Sequence, residues 1–232
     1  MALKRVTYNN RTFYKIERVG FERCLFSESS PDHLIVPDAV KFTASQGGIL
    51  QSVEEAVAFQ IEADGQDNSD GHQATRTVVL YGSFNGKPLA LLDDDPVQNI
   101  VKSADMCYER ETKGGLFLKK DNSYVHAVIA RAQKNNRVLE LPGQARRGLE
   151  WKLEPEKGRA IFGSMTEPYA EFMRSKGHSE VLVYALTAAE VGRIKEELVE
   201  VRLFSLCYKN VVCAYARFGT MSRARAVLYA QK

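Results

Sequence analysis

The feature that most constrains this fold is an apolar run, Glu180–Leu186, which stands between two helix-start signals. After its first residue the run shows no polar alternation, and this predicts a strand that is buried on both faces. Ser164–Glu167 and Thr187–Glu190 both have a hydroxyl residue three positions before a glutamate, which is the capping-box pattern. The stretch therefore predicts a buried strand with a capped helix on either side of it in the sequence.

The rest of residues 159–232 continues this alternation of strands and helices. Gly177 is a natural helix stop, and Val191, Ile194, Leu198 and Val201 recur at helical spacing. In order, the pattern predicts a strand at Arg159–Gly163, a helix ending near Gly177, the buried strand, a helix reaching Val201, strands at Val199–Tyr208 and Val211–Arg217, and a short terminal helix.

Turn signals organise the first 158 residues. Asn9-Asn10 and Asn85-Gly86 favour two-residue hairpin turns. Ser52–Glu55 is a further capping box that opens a helix to about Glu62, and Asp95 before Pro96 favours another helix start. The remaining extended runs predict short strands at Phe21–Phe26, Leu34–Val36, Val40–Thr43, Arg76–Gly82, Leu116–Lys120, Tyr124–Ala132, Val138–Leu141 and around Trp151.

Hairpins dominate the middle of the chain, and helices alternate irregularly with strands. This favours the α+β class, with a mixed, mostly antiparallel sheet with hairpins and about four to five helices, over a doubly wound parallel sheet. The length of 232 residues allows one large domain or two small ones. We predict a single α+β domain over residues 1–232, with Pro142–Gly148 as the best place for a subdivision.

Composition and cysteine spacing bear on the compartment. The apolar fraction of 44% is enough for a packed core. No apolar segment follows the N-terminus, and no run approaches the roughly 20 apolar residues of a membrane span, so we expect neither a signal peptide nor a membrane partner. The four cysteines form no CxxC or zinc spacing, which predicts free thiols and a cytoplasmic location: Cys24, Cys107, Cys207 and Cys213.

The strongest functional signal is the basic C-terminal segment. After Glu200 there is no acidic residue, whereas cations and aromatic residues alternate. Cations that contact phosphates and rings that stack on bases are typical of nucleic-acid surfaces, RNA-binding ones included. The sequence therefore predicts a nucleic-acid- or polyanion-binding face formed by Arg202, Lys209, Tyr215, Arg217, Phe218, Arg223, Arg225 and Tyr229.

Two other interpretations of this segment stay open. The aromatic residues are equally compatible with a core position, and the cations with a solvated face. The C-terminal sheet edge would also suit an assembly protein that meets a partner protein or forms a homo-oligomer. A second basic cluster would extend the face only if it folds nearby: Lys134, Arg137, Arg146 and Arg147.

An enzymatic alternative depends on Glu180. Glu180 begins a predicted strand, Ser164 follows another, and His126 lies on a third, which resembles the loose pattern of NAD-dependent ADP-ribosyltransferases. The resemblance implies Glu180 as the catalytic glutamate and NAD as substrate. The assignment of Glu109 and Glu111 to that role is less favoured, because it places the glutamates at a helix end.

Other chemistries find little support in the sequence. An acid–acid–lysine nuclease site formed by Asp93–Asp95, Glu111 and Lys113 has loose spacing, and the aspartates are better explained as a helix start. The four histidines lack metal-ligand spacing, and there is neither a P-loop nor a GxGxxG motif. We therefore expect no metal and no cofactor.

Overall fold

The computed structural model describes residues 3–63, 73–94, 116–141, 150–152, 155–206, 211–216 and 222–229. The strands are β1 (Lys4–Tyr8), β2 (Arg11–Lys15), β3 (Cys24–Ser27), β4 (Ile49–Leu50), β5 (Gln73–Phe84), β6 (Lys87–Asp93), β7 (Leu116–Lys119), β8 (Val138–Glu140), β9 (Glu150–Lys152), β10 (Leu182–Tyr184), β11 (Leu198–Leu206), β12 (Val211–Ala216) and β13 (Ala226–Tyr229). The helices are α1 (Val36–Ser45), α2 (Val53–Ala63), α3 (Ser123–Lys134), α4 (Pro155–Phe162), α5 (Thr166–Ser175) and α6 (Ala188–Val191), with a 3₁₀ turn at Gly163–Met165.

The strands form two sheets. The smaller sheet has five strands in the order β1-β2-β3-β13-β4, and its neighbouring strands are all antiparallel. The larger sheet has eight strands: seven follow the order β8-β6-β5-β11-β12-β10-β9, and β7 pairs with β11. Only β10 and β12 run parallel among the described pairs. The predicted α+β class with mostly antiparallel pairing is confirmed, whereas the single-domain organisation stays a prediction and Pro142–Gly148 lies outside the described residues.

Local turn and cap chemistry accounts for several elements. Both residues of the Asn9-Asn10 turn have positive φ, at 50° and 60°, as a two-residue hairpin turn requires. The Ser52–Glu55 capping box is present: the Ser52 hydroxyl accepts from the Glu55 backbone N–H, and the Glu55 carboxylate accepts from the Ser52 N–H at 2.6 Å. The capping box at Thr187 is present as well. These predictions from sequence are confirmed.

Two segments of the first 158 residues that were predicted as extended lie in helices, Tyr124–Ala132 and Val40–Thr43. Tyr124–Ala132 lies inside α3, where the Asn122 side chain accepts from the Tyr124 N–H and so caps the helix. Its buried residues Val125, Val128 and Ala132 follow helical spacing, which the apolar content alone did not distinguish from a strand.

The second segment, Val40–Thr43, lies inside α1. Pro37 is the second residue of α1, where a proline's missing N–H leaves no helical hydrogen bond unmade.

The predictions for residues 159–232 need four corrections. The capping box predicted at Ser164–Glu167 is absent, because Ser164 lies in the 3₁₀ turn and the next helix begins at Thr166 without a side-chain cap. Arg159–Gly163 belongs to α4 and the 3₁₀ turn rather than to a strand. The helix that starts after Thr187 ends at Val191, and the chain is a strand again from Leu198. The predicted terminal helix is strand β13, which pairs with β3 and β4. The helix predicted from Asp95 lies outside the described residues.

The larger sheet is buried on both faces. One face packs with Val78, Leu80 and Val201 against α3. The other contributes Val79, Tyr81 and Phe204 to a core that also holds α2 and the inner face of the smaller sheet. The smaller sheet is covered on this inner face by Phe59 of α2. Its opposite face carries a groove.

Candidate functional site

The β1–β2 hairpin has one core-facing side and one outward side. Tyr14 of β2 packs edge-on against Phe59 of α2, with ring centroids 6.1 Å apart. Because side chains alternate between the two faces of a strand, Phe13 and Arg11 lie on the opposite, outward side. Tyr8 is the cross-strand partner of Arg11, and the two therefore share this outward side.

A groove of about 420 Å³ crosses the outward face of the smaller sheet. Phe13, Leu25 and Leu228 come from three successive strands, and Phe13 is only 1% exposed. We call this cavity the hairpin groove, and its full lining is Tyr8, Asn9, Arg11, Phe13, Leu25, Gln46, Gly47, Gly48, Ile49, Val227, Leu228 and Tyr229.

The wall opposite the hairpin is the turn from α1 into β4. Gly47 has a φ of +82°, a conformation in which side chains are strained. A Cβ atom on Gly48 would lie 2.7 Å from the Val227 carbonyl oxygen, so the turn approaches β13 this closely only with glycine there. The Arg11 guanidinium donates to the Ser45 carbonyl at the end of α1. This hydrogen bond ties the two walls of the groove together.

The hairpin is strongly basic. Residues 1–16 contain four cations and no acidic residue. Lys4 and Lys15 are directly opposite each other across β1 and β2. The guanidinium of Arg5 lies 5.8 Å from the centroid of the Tyr14 ring. Within the part of the chain that the structure describes, none of the four hairpin cations forms an ion pair: Lys4, Arg5, Arg11 and Lys15.

Tyr229, at the end of β13, belongs to a buried polar cluster on the α2 side of the sheet, opposite the groove residue Leu228. Its hydroxyl donates to Glu55 and accepts from Arg76 at 3.1 Å, and Arg76 pairs with Glu55 at 2.8 Å. Burial, followed by the negative charge of Glu55, raises the pKa of the Tyr229 hydroxyl above its usual value, so the hydroxyl stays a donor. Burial alone would lower the pKa of Arg76, but the charge and hydrogen bond of Glu55 together with the charges of Tyr229 and Asp94 outweigh it, and the pKa is raised. Tyr229 is thus anchored by its hydroxyl and yet 51% exposed.

The residues predicted from the basic C-terminal segment do not lie on one sheet. Arg202 and Tyr215 belong to β11 and β12 of the larger sheet, whereas Tyr229 belongs to the smaller one. Arg223 and Arg225 precede β13, and Arg223 is half-buried with a hydrogen bond to the Ser30 carbonyl. The other predicted residues lie outside the described ranges: Lys209, Arg217 and Phe218.

Two of the predicted cations are interior residues. Arg225 is 1% exposed, lies 3.8 Å from the centroid of the Phe59 ring, and donates to the Ser27 carbonyl and the Ser29 hydroxyl. Arg202 is 6% exposed and pairs with Glu200 two residues earlier on the same strand. In these positions both side chains stabilise the fold, and Tyr229 is the exposed member of the predicted set among the described side chains. Ligand binding by the set stays a prediction.

The second basic cluster also contains both an exposed and a buried cation. Lys134 is exposed at the end of α3. Arg137 is 8% exposed and donates to Asp94 and to the carbonyls of Ala160 and Ile161. Arg146 and Arg147 lie outside the described residues.

The side chains of the transferase alternative have different surroundings from those predicted. Glu180 precedes the short strand β10 and is half-buried. Ser164 lies in the 3₁₀ turn and His126 on the exposed side of α3, so neither is on a strand. The strand-borne arrangement expected for Ser164 and His126 is therefore wrong, and Glu180 alone is left of that pattern.

The described residues contain neither a metal-ion cluster nor a helix that could span a membrane. No group of three or more His, Cys, Asp or Glu residues that would hold a metal ion occurs in the described ranges. Every helix in these ranges is too short or too polar to cross a bilayer. Cys24 is buried as a free thiol, and burial raises its pKa to about 12, which removes it as a nucleophile near neutral pH.

Sequence reasoning missed the hairpin groove, although part of the signal was present. A run of 16 residues with four cations and no acid at the start of the chain is visible in the sequence. That the hairpin lies beside β13 and the α1–β4 turn depends on strand order, which the sequence did not reveal.

Comparison with known proteins supplies the fold. No protein-family model and no curated protein matches the sequence. One solved structure that does match is described as the accommodation of massive sequence variation in Nanoarchaeota by the C-type lectin fold. It matches with a TM-score of 0.57 and 12% sequence identity, and the match covers 92% of this chain and 100% of the other. At this identity the likeness shows that the two proteins share a fold.

Proposed function

We propose that this chain is a non-catalytic binding protein that takes an anionic polymer, single-stranded nucleic acid in particular, along the β1–β2 hairpin. The observation that carries the proposal is the cross-strand pair of Lys4 and Lys15. Like charges directly opposite each other destabilise a sheet. A lysine at a sheet edge discourages edge-to-edge pairing, but this protective role does not call for a second lysine opposite the first. A polyanion bound along the hairpin offsets the repulsion between Lys4 and Lys15.

An exposed tyrosine favours nucleic acid over other polyanions. Tyr8 is 47% exposed and lines the hairpin groove beside Arg11, whereas the ring of Tyr229 lies on the α2 side of the sheet. Cations along a backbone path with aromatic side chains beside them are the usual components of single-strand sites, and stacking contributes about 1–3 kcal/mol per base. Ligand contact by Tyr229 stays a prediction from sequence outside the hairpin groove, and this proposal transfers the cationic role to the hairpin.

The fold is compatible with such a role but does not specify it. The Nanoarchaeota structure is described as a fold that accommodates massive sequence variation. We extend to this chain only the idea of a scaffold whose surface residues determine the ligand, because one fold hosts many functions. The cytoplasmic location, and a protein partner or homo-oligomer formed through a sheet edge, remain parts of the proposal that need their own tests.

The transferase alternative has a separate test. It depends on Glu180 alone, and it predicts consumption of labelled NAD that Glu180→Gln abolishes. Equal consumption by both proteins, or none by either, removes Glu180 from that role.

The proposed function is tested by the salt dependence of binding. The affinity for a labelled single-stranded oligonucleotide, measured by fluorescence anisotropy, should fall linearly on a log–log plot with salt, with a slope of about −0.7 per phosphate contact. Replacing both lysines, Lys4→Ala with Lys15→Ala, should weaken binding for all sequences and reduce the slope by about 1.4. The fold should be retained, because this change removes a repulsive pair.

The matched control removes the same charge elsewhere. Arg193→Ala with Lys195→Ala changes two cations in the exposed segment after α6. This variant should bind like the parent protein. Salt-independent binding, no binding, or equal losses in the two double variants would contradict the proposal.

A further inference from the structure

We infer that the hairpin groove is a subsite for one unpaired nucleobase, with the adjoining phosphate on the hairpin cations. The inference rests on the proposed function and adds the chemical class of the group that enters the groove. About 420 Å³ is within the usual range for sites that enclose a small molecule, roughly 300–1,000 Å³. The groove is therefore large enough for a planar base, and its lining decides whether a base fits chemically.

The apolar part of the lining suits a flat ring. Leu25 and Leu228 are half-buried residues of neighbouring strands, and Phe13 is buried beside them. Tyr8 packs edge-on to Phe13, with ring centroids 6.3 Å apart and an interplanar angle of 77°. This contact holds the Tyr8 ring at the groove while almost half of the residue stays exposed. A base that enters the groove gains apolar contact and an aromatic neighbour.

The polar part of the lining suits the edge of a base. Asn9 on the hairpin and Gln46 on the turn present amide groups, each with a donor and an acceptor. Unpaired bases in protein complexes are bound by hydrogen bonds to their edges in addition to stacking. Arg11 is the charged residue of the lining, and it carries a positive charge. The groove thus combines ring contact, edge recognition and a cation for phosphate.

The walls of the groove are fixed before a ligand arrives. The hydrogen bond from Arg11 to the Ser45 carbonyl joins the hairpin to α1, and Gly48 sets the close approach of the turn to β13. A preformed site loses little conformational entropy on binding. Charge complementarity excludes a purely apolar peptide as the expected occupant, because the same hairpin carries unpaired Lys4 and Lys15.

Two substitutions of Tyr8 test the ring contact. Tyr8→Leu keeps apolar bulk but removes the ring, and should weaken oligonucleotide binding on the order of tenfold. Tyr8→Phe keeps the ring and should bind within about twofold of the parent protein. The matched control is Phe117→Leu, which removes a comparably exposed ring (41%) from β7 of the larger sheet and should have no effect. An unchanged affinity of Tyr8→Leu would overturn the inference.

A second variant tests edge recognition without touching the ring. Gln46→Ala should change the ratio of affinities for oligo-dA, oligo-dC and oligo-dT by about fivefold or more, while the salt slope stays that of the parent protein. The double lysine variant should do the opposite, with a lower slope and unchanged base preference. If Gln46→Ala and Tyr8→Leu are both neutral while the lysines still set the slope, the subsite is wrong and the proposed function stands.

Competition with free nucleotides distinguishes a free nucleotide from a base within a strand as the ligand of the groove. Adenosine, cytidine and uridine monophosphates are titrated against the labelled strand. Displacement at micromolar concentration identifies a free nucleotide as ligand, and displacement at millimolar concentration only identifies a base within a strand. Both results support a base subsite. Displacement by a poly-glutamate peptide that contains tyrosine, with an affinity equal to that of the oligonucleotide, would overturn it.

Discussion

Cations in the interior of this protein and cations on its hairpin have opposite surroundings. Arg137, Arg202 and Arg225 are 8%, 6% and 1% exposed, and each donates to carboxylate, carbonyl or hydroxyl oxygens. Lys4 is exposed, and its nearest cross-strand neighbour is another cation, Lys15. The interior arginines donate to oxygen acceptors, whereas Lys4 and Lys15 of the hairpin oppose each other.

The difference teaches that charge counted along a sequence does not locate a binding surface. A buried cation is tolerated only where pairing and hydrogen bonds compensate for lost hydration, so its removal affects stability. An exposed cation has little effect on stability, and its removal affects ligand binding only where the cation contacts the ligand. The positive C-terminal segment looked like a surface, but Arg202 and Arg225 belong to the interior.

The largest expected effect is on the interior side of the comparison. Arg225→Ala removes two hydrogen bonds and the contact with the Phe59 ring, and it leaves a cavity. We expect a loss of about 3 kcal/mol or more in the free energy of unfolding. Urea denaturation followed by circular dichroism measures it. Arg225→Lys should recover little of the loss, because an ammonium lacks the planar fork that reaches both oxygens.

Lys4→Ala serves as the exposed counterpart of Arg225→Ala. Its unfolding free energy should lie within about 0.5 kcal/mol of the parent value. A loss below about 1 kcal/mol for Arg225→Ala would break the comparison, because Arg225 would then behave as a surface residue.

A smaller effect is expected from Glu54, a half-buried acid whose pKa is influenced by Arg137 and Asp94. Burial raises its pKa to about 7, with Arg137 lowering and Asp94 raising it. Because the folded pKa exceeds the unfolded one, the contribution of Glu54 is fully present below about pH 4.5 and is lost as the pH rises to 7. Glu54→Gln should therefore match the parent protein near pH 4.5 and exceed its unfolding free energy at pH 8 by roughly 1–3 kcal/mol.

Urea midpoints at the two pH values measure this difference. The control is Glu167→Gln, an exposed acid whose pKa is lowered by its hydrogen bond with Arg159. It should show no gain at pH 8. The same pH dependence in parent protein and Glu54→Gln would show that Glu54 is not the group responsible.

Local chemistry that depends on a few neighbouring residues was predictable from sequence at three sites, whereas the capping box predicted at Ser164–Glu167 is absent. The Asn9-Asn10 turn and the capping boxes at Ser52 and Thr187 were predicted because each is defined within four residues. The extent of each element was not. The helix after Thr187 ends at Val191, and Leu198–Leu206 pair with β5 and β7 as strand β11. This long-range pairing overrides the helical spacing of Leu198 and Val201.

The candidate site was less predictable than the fold class. Tyr229 was found from its place in a basic, aromatic segment, whereas the groove residues Tyr8 and Arg11 are more than 200 residues away. The hairpin and β13 share one sheet because β13 lies between β3 and β4, which no local pattern specifies. Arg225 shows the converse: its pattern resembles a surface cation, and its burial depends on Phe59 and on the carbonyl of Ser27.

The smallest expected effect on stability tests the hairpin side of the comparison. Lys4→Glu replaces a repulsive pair by an attractive one opposite Lys15, so the unfolding free energy should rise by about 0.2–1 kcal/mol. Oligonucleotide binding should fall at least tenfold, because a cation is lost and an anion now faces the ligand. Lys195→Glu makes the same change of charge in the exposed segment after α6. It should leave the unfolding free energy and the affinity for the oligonucleotide unchanged. If Lys4 is retained for a ligand, Lys4→Glu should raise the unfolding free energy and lower the affinity for the oligonucleotide. A decrease in both quantities would show that Lys4 stabilises the fold.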